Sequence, residues 1–370
     1  MPSVSLRHKI KLLSNYIKDL RPREMYNILS VYALWWNHRL SAFLLNDLFP
    51  KLGIDLFPPF LEIEHTTMCG FKCKICEHTY WKEPSANMSF EKFKELYDQF
   101  GKLKWIGLTG IGSSYLNPDF HRIVAYCKSK GTIVELMDHF ATFRDENQIK
   151  ELLEIGPDFQ FVSIYGATKK TSEEVCVGSD FDKVIKNVRT FVELKKKMKK
   201  RFPLLSFHYI VTKKSKDEIF QFLDFVKSLD TEIAEVLVTP MLHDFREAKG
   251  YSVKLDNDYI ERVRKKADAC NIAMTINLTA FQEERGLLKR PPFNYCKEYI
   301  MPFIFVSGHI SPCCGLNEAN QREVLKKNSP GNLFERNIRE IWYSPQYKRI
   351  RQLIRQGKCP KECAMCPAYQ

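Results

Sequence analysis

Two hydrophobic periods alternate along the middle of the chain, and this alternation predicts a parallel β/α fold. Short apolar runs typical of strands recur between residues 60 and 240, separated by longer segments with the spacing of amphipathic helices. The first of these helices opens at Ser89, a residue type suited to cap it. The predicted strands cover 60–65, 105–109, 132–137, 161–165, 204–211 and 235–239, and the predicted helices cover 90–100, 120–129, 147–153, 181–200 and 217–229.

Six such units predict an α/β architecture, a partial (β/α)6 barrel of TIM type. Crossovers between parallel strands are almost always right-handed, so successive units curl in one direction. In folds of this kind the reactive groups lie at the carboxyl ends of the strands. We therefore expect the chemistry of residues 58–245 in the loops that follow the strands.

The pattern changes on both sides of this barrel, and four regions are predicted. Residues 1–57 have the spacing of amphipathic helices and end in a proline-containing stretch. Residues 246–290 predict a connecting helix (259–270), a strand (273–278) and a linker. Residues 291–370 predict a small cysteine-rich domain with a strand at 303–306 and helices at 338–343 and 347–354.

The N-terminal region bears on localisation. Its longest apolar run, 25–37, is shorter than the roughly 18–20 residues that a spanning helix needs. Basic residues lie upstream, so two interpretations remain open: a helical cap packed on the barrel, or a helix in the membrane interface. The first residues do not resemble a signal peptide, and we expect a cytoplasmic protein, either free or associated with the membrane surface.

Composition narrows the function less than the pattern does. Of the 370 residues, 44% are hydrophobic and 13% aromatic, which excludes wholesale disorder. The net charge of +13 suits an anionic partner such as nucleic acid, a membrane, a phosphorylated substrate or an acidic electron donor, and does not choose among them.

The 12 cysteines carry most of the chemical information. Disulfides are disfavoured in a reducing compartment, where clustered cysteines are more often metal ligands. Cys127, Cys176 and Cys270 stand alone in the sequence and are interpreted as core or incidental residues. The other nine fall into two groups.

The first group, Cys69, Cys73 and Cys76, directly follows the first predicted strand with the spacing C-x3-C-x2-C. Three thiolates within eight residues can converge from one loop, and thiolates suit both iron–sulfur clusters and zinc. A structural site normally has four protein ligands, so three favour a cluster with one open iron. A zinc ion completed by His65 or His78 remains the alternative.

In this signature and its place after the first strand, the chain resembles the radical S-adenosylmethionine (SAM) superfamily. The resemblance implies a [4Fe–4S] cluster on Cys69, Cys73 and Cys76, with SAM on the fourth iron. It implies an enzyme that receives one electron from a donor such as flavodoxin or ferredoxin and cleaves SAM to methionine and a 5′-deoxyadenosyl radical. That radical abstracts hydrogen from a substrate. The sequence identifies neither the substrate nor a catalytic residue.

The same resemblance assigns SAM contacts to the loops after the second and fourth strands. Two glycines after the second strand let the backbone approach a ligand closely. Ser113 and Ser114 stand where relatives carry Glu-Pro, so hydroxyls or backbone carbonyls would replace the usual carboxylate contact. The predicted cofactor-binding residues are Gly110, Gly112, Ser113 and Ser163. Three polar residues near strand ends, His139, His208 and Tyr209, are interpreted as structural rather than catalytic.

The second group of cysteines resembles the SPASM or twitch-type domain, which holds auxiliary [4Fe–4S] clusters. The matching features are the spacing from Gly308 to Cys313, the turn at 331–333, the pair Ile341-Trp342 and the closing C-x2-C. One auxiliary cluster, for electron transfer or substrate positioning, is favoured because six cysteines are too few for two; zinc on four thiolates is the alternative. The predicted ligands are Cys296, Cys313, Cys363 and Cys366, with Cys314 and Cys359 as alternates.

Other functions stay open. A non-catalytic iron–sulfur or zinc-binding protein on the same scaffold would explain the two serines in place of Glu-Pro, although three intact cysteines argue against it. A zinc-dependent nucleic-acid binder would suit the basic charge and the C-x2-C spacing and would bind DNA or RNA in a salt-sensitive way, but a nucleic-acid partner is not expected. For the enzyme, the substrate classes considered are peptides, protein side chains, small alcohols or sugars, and lipid-linked molecules.

Overall fold

The computed structural model describes residues 40, 43–48, 51–52, 57–101, 103–240, 247–276, 301–312 and 322–363. Most of the predicted N-terminal helices, the linker, and Cys296, Cys313, Cys314 and Cys366 therefore lie outside the described residues. Within the N-terminal region, Leu44–Leu48 forms a short π-helical turn. The four-region division of the chain stays a prediction.

A mostly parallel sheet organises the described part of the chain. Its strands are β1 (Phe60–Ile63), β3 (Trp105–Leu108), β4 (Ile133–Asp138), β5 (Phe159–Ile164), β7 (Leu204–Val211), β8 (Ile233–Pro240), β9 (Met274–Ile276), β10 (Phe303–Ile304) and β11 (Ile310–Ser311). They lie in the order β11-β10-β1-β3-β4-β5-β7-β8-β9, and every neighbouring pair is parallel except β10 with β11. The six predicted barrel strands are confirmed, as is the α/β fold class.

In the described residues, seven α-helices lie between successive parallel strands and three follow β11. They are α1 (Phe90–Asp98), α2 (Phe120–Ser129), α3 (Glu146–Ile155), α4 (Lys169–Val175), α5 (Phe181–Lys197), α6 (Ile219–Ser228), α7 (Asn257–Ala269), α8 (Arg322–Lys327), α9 (Ile338–Trp342) and α10 (Pro345–Arg355). Ser89 caps α1 as predicted, because its hydroxyl accepts a hydrogen bond from the Lys92 backbone N–H at 3.3 Å.

Two features that the sequence did not predict bear on the site. The first is the short helix α4, followed by a two-stranded antiparallel ladder between β2 (Lys72–Cys73) and β6 (Cys176–Val177). Two-residue strands carry no hydrophobic period, so they leave no pattern to read. The second is the parallel pairing of β10 with β1, which aligns Glu62 with Phe303 and joins the C-terminal region to the barrel sheet.

Apolar side chains fill both faces of the sheet. Leu61, Ile63, Ile106 and Leu108 are fully buried beneath the helices. A second cluster, made by Ile133, Phe159, Phe161, Leu204 and Ala234, packs inside the curve of the sheet. Met137 of β4 and Leu237 of β8 pack against this cluster from the side of the carboxyl ends of the strands. Within the described residues, no helix is long and apolar enough to span a bilayer.

Candidate functional site

A cavity of about 310 Å³ opens at the carboxyl ends of the barrel strands. Every cysteine of the first group lines it, together with the two glycines after β3 and the polar residue after β5 that were predicted to contact SAM. The glycines and polar side chains that line the cavity include Cys69, Cys73, Cys76, Gly110, Gly112, Asp138, His139, Ser163, Tyr165, His208 and Thr239. The strand ends therefore bring together residues that are up to about 170 positions apart in sequence.

The cysteine loop is held by the pairing of β2 with β6 and by hydrogen bonds around Cys73. The Cys76 N–H donates to the Cys73 carbonyl at 3.1 Å, and the Thr79 hydroxyl donates to the same carbonyl at 2.7 Å. On its outer side, the Lys74 N–H donates to the Val175 carbonyl at 2.9 Å. These bonds fix the turn from which the three thiols face one space.

Burial keeps these thiols protonated in the metal-free protein. It raises the pKa of Cys69 to about 11 and that of Cys76 to about 12. The pKa of Cys73 lies well above its ordinary value, first because of a hydrogen bond with Cys176 and then because of burial. Metal binding at this loop must therefore displace protons, as is usual for thiolate ligands.

The glycines after β3 pack directly on the segment that leads into Cys69. A Cβ atom on Gly112 would lie 2.5 Å from the Thr66 carbonyl oxygen, and one on Gly110, which has φ +145°, would lie 2.7 Å from Glu64 Cγ. The Ser113 N–H donates to the Met68 carbonyl at 2.8 Å. Only glycine allows this approach, so the glycine motif positions the cysteine loop.

The two serines that replace Glu-Pro share one carboxylate. Ser113 Oγ donates to Asp138 Oδ2 at 2.9 Å, and the Ser114 N–H donates to the same oxygen at 2.7 Å. The Asp138 side chain is fully buried at the end of β4 and lines the cavity. Sequence analysis did not select Asp138. An acidic residue that immediately follows a buried strand was the signal that could have found it.

The remaining predicted residues divide between the cavity and the core. Ser163 lines the cavity at the end of β5. His208 also lines it, with Nε2 at 2.7 Å from Thr239 Oγ1, and His139 accepts the Ala141 N–H at Nδ1. Tyr209 lies on the opposite face of β7, where its hydroxyl donates to the Ser215 carbonyl at 2.8 Å.

Cys176 does not stand alone, contrary to its interpretation from the sequence. It is buried, as predicted, but its Sγ lies 3.0 Å from Cys73 Sγ because β6 pairs with β2. The 103 residues between the two cysteines explain why spacing did not reveal the contact. Cys127 and Cys270 are buried core residues, as predicted.

In the C-terminal region, the described cysteines differ in burial. Cys359 is exposed and Cys363 is buried. The predicted turn around 331–333 is present: the Leu333 N–H donates to the Gly308 carbonyl at 2.8 Å, and the Ile310 N–H donates to the Gly331 carbonyl at 3.1 Å. The other predicted ligands of this region lie outside the described residues.

A buried ion-pair network joins this region to the cysteine loop. Arg322 of α8 pairs with Glu64, which follows β1, and with Glu83 at 3.0 Å. The guanidinium also lies 4.7 Å from the ring centre of Trp81. The Val306 N–H adds a hydrogen bond to Glu64 at 3.2 Å. We call these residues, Glu64, Glu83, Arg322 and Val306, the clasp.

Two family models match the chain. A model described as the radical SAM superfamily matches residues 63–226, and one described as the SPASM iron–sulfur cluster-binding domain matches residues 296–367. Together they span more than half of the chain. A Pyrococcus furiosus relative, the tungsten-containing aldehyde ferredoxin oxidoreductase cofactor-modifying protein, is 21% identical over 318 residues, or 83% of this chain and 86% of the relative.

Solved structures are similar in fold. Streptococcus suis SuiB bound to S-adenosylmethionine has a TM-score of 0.61 at 20% identity, over 82% of this chain and 70% of that one. SuiB bound to the precursor peptide SuiA has a TM-score of 0.62 at 20% identity, over 82% and 69%. The protein anSMEcpe with bound AdoMet has a TM-score of 0.55 at 16% identity, over 83% of this chain and 85% of that one.

The donor set fits a [4Fe–4S] cluster better than a single zinc ion. Each thiolate of a cluster takes a different iron, so its ligands are more widely spaced than those of one ion. Cys69, Cys73 and Cys76 all line the cavity, where each thiolate could take a separate iron. Two histidines could complete a zinc site. His65 is held by Asn117 at Nδ1 and stacked on Phe120, and His78 is buried with its ring 4.9 Å from that of Trp81.

Proposed function

The chain is an enzyme of the radical SAM superfamily with a C-terminal SPASM domain, and we propose that it generates a 5′-deoxyadenosyl radical in the cavity and abstracts hydrogen from a bound substrate. The observation that carries this proposal is the convergence of Cys69, Cys73 and Cys76 with the glycines after β3 on one cavity. The three cysteines would hold a [4Fe–4S] cluster. When bound, that cluster supplies the single electron that cleaves SAM.

The residues of the chain bind and orient SAM and exclude water. We propose Gly110, Gly112, Ser113 and Ser163 as the SAM contacts, since the first two bring the backbone to the cavity wall. Asp138 holds Ser113 and Ser114 in place and so positions that wall. Apolar side chains of Ile75, Ile111, Met137, Ile210 and Leu237 complete the lining and keep out water that would quench a radical.

We propose one auxiliary [4Fe–4S] cluster in the C-terminal domain. Buried Cys363 is a ligand in this proposal, together with Cys296, Cys313 and Cys366, and exposed Cys359 is not. The cluster would accept the electron left on the substrate or position the substrate. An acidic one-electron donor, such as flavodoxin or ferredoxin, suits the net charge of +13.

Two substrate classes have support. A peptide is supported by the similar fold of SuiB, which has been solved with its precursor peptide. A lipid-linked molecule is supported by the basic and apolar residues of 1–57, which would bring the enzyme to the membrane surface. SAM cleavage measured with anionic vesicles and with a peptide library would separate the two classes.

The proposed function is tested by anaerobic purification, iron and sulfide analysis, and SAM cleavage after reduction. We expect the wild-type protein to hold about eight irons and to form 5′-deoxyadenosine. The Cys69→Ala/Cys73→Ala/Cys76→Ala variant should hold about four irons and form no 5′-deoxyadenosine. A Cys127→Ala/Cys270→Ala variant, which changes two buried cysteines away from the cavity, should behave like wild type. Colourless wild-type protein that carries zinc after reconstitution would reject the proposal. Eight irons without SAM cleavage would favour the non-catalytic alternative.

A further inference from the structure

We propose that Cys176 is a positioning residue for the N-terminal cluster: its thiol donates a hydrogen bond to the Cys73 ligand and thereby raises the reduction potential of that cluster. The proposal rests on the proposed function, in which Cys73 holds iron. It concerns a residue outside the C-x3-C-x2-C signature.

The geometry places the two sulfurs in direct contact. Cys73 and Cys176 are directly opposite each other in the β2–β6 ladder, and their Sγ atoms are 3.0 Å apart. Opposite residues of an antiparallel pair project to the same face with Cβ atoms about 4.5–5.5 Å apart, so the contact follows from the register. The thiol that contacts this ligand therefore comes from a different strand.

The position of Cys176 is fixed from several sides. Its carbonyl accepts the Ser179 N–H at 3.1 Å and the Ser179 hydroxyl at 2.9 Å. The preceding residue, Val175, is fully buried in one cluster with Ile75, next to Cys76. Cys176 itself is 3% exposed. A thiol held in this way cannot rotate into solvent, so the sulfur–sulfur contact persists.

The direction of the hydrogen bond follows from the chemistry of the ligand. A cysteine bound to iron is a thiolate and has no proton, so Cys73 can only accept. Cys176 is then the donor. Hydrogen bonds to the sulfurs of a cluster are among the factors that set its potential. Because the reduced cluster carries one more negative charge, a donor at its ligand stabilises the reduced state.

The test is a redox titration of the reconstituted full-length enzyme, followed by electron paramagnetic resonance. The SAM-binding cluster is identified as the signal that changes when SAM is added, and the auxiliary cluster serves as the internal reference. Cys176→Ala and Cys176→Val remove the donor, and Val keeps the volume filled. We expect both to make the reduction equilibrium of the first cluster about tenfold less favourable, which is about 59 mV for one electron.

Cys176→Ser, which keeps a donor, should stay close to wild type, and Cys127→Ala should not differ from it. An unchanged potential in Cys176→Ala and Cys176→Val would overturn the proposal, as would equal shifts of both clusters. Loss of iron in both variants would also overturn it, because Cys176 would then be needed for assembly. Wild-type protein without the first cluster would overturn the proposed function as well, whereas an intact cluster with unchanged potential overturns this inference alone.

Discussion

The chain contains the spacing C-x3-C-x2-C twice, and the two copies lie in different surroundings. Cys69, Cys73 and Cys76 follow a central strand and face a cavity whose wall is glycine backbone. In the second copy, Cys359 follows the last turn of α10 and is exposed, whereas Cys363 is buried beside Glu362, which pairs with Arg349 at 2.5 Å. Spacing determines which thiols can converge, and the surroundings determine what else can bind beside the metal.

The largest expected effect is a difference in iron content between variants of two cysteines in the second copy, Cys363 and Cys359. Cys363→Ser should lower the iron content from about eight to about four, because a buried thiol is lost from the auxiliary site. The matched variant Cys359→Ser should keep about eight irons, since its sulfur is exposed and, within the described part of the chain, donates to the Pro360 carbonyl. Iron analysis and the visible spectrum measure both. Equal losses in the two variants would show that exposure does not distinguish ligand from alternate in this region.

The next effect concerns the clasp that joins the two regions. Arg322→Met leaves the fully buried Glu64 carboxylate without its guanidinium partner, which should cost about 3–5 kcal/mol of unfolding free energy. Arg122→Met is the control, since Arg122 forms exposed ion pairs with Asp119 and Glu91 and its loss should cost at most about 1 kcal/mol. Urea unfolding of the anaerobic protein measures the difference. Similar losses for both variants would argue that the clasp adds no more than a surface pair.

A smaller effect tests the glycine wall of the first site. Gly112→Ala places a methyl group against the backbone of Thr66 and Thr67 and should weaken SAM binding about tenfold by displacing the cysteine loop. Gly70→Ala, within the cysteine loop, meets no atom within 4 Å and should bind SAM as wild type does. Equilibrium dialysis of reconstituted protein gives both affinities. If Gly112→Ala binds SAM as tightly as wild type or more tightly, the glycine motif does not help to form the SAM site.

The smallest effect concerns the interior of the barrel beneath the first site. Burial, and then the nearby Glu62, raise the pKa of Glu135 to about 8, although Trp105 Nε1 donates to it at 3.2 Å. A raised carboxyl pKa stabilises the fold below the unfolded value near 4.5, and this contribution is lost as the pH rises through 8. Wild-type stability should therefore fall by about 2 kcal/mol between pH 5 and about 6.5 relative to Glu135→Gln. If the free energy of unfolding changes with pH in the same way for both proteins, the raised pKa of Glu135 is contradicted.

The barrel was predictable because its signals are local. Each barrel strand is a mainly apolar run, so β7 was placed with its observed bounds, 204–211. The cysteine loop and the glycines were found by their position after such strands. These features depend on residues close together in sequence, which is the range over which a hydrophobic period can be read.

The missed contacts of the site join residues that are far apart in sequence. Cys176 meets Cys73 through two-residue strands, and Asp138 holds Ser113 from 25 positions away. The clasp joins Glu64 to Arg322 across 258 residues. The sequence gives no sign of these contacts, because the identity of a cysteine or an arginine does not reveal which distant residue it touches.

The pairing of β10 with β1 has a consequence for biosynthesis. In the finished sheet β1 lies between β3 and β10, but the ribosome delivers β1 long before β10, and the Val306–Glu64 hydrogen bond spans 242 residues. Until the C-terminal region emerges, the strand that precedes the cysteine loop has one open edge, which is a template for pairing with other chains. The C-terminal region therefore protects this edge only after synthesis is complete. When β10 pairs with β1, it closes the edge of the strand that leads into the cysteine loop.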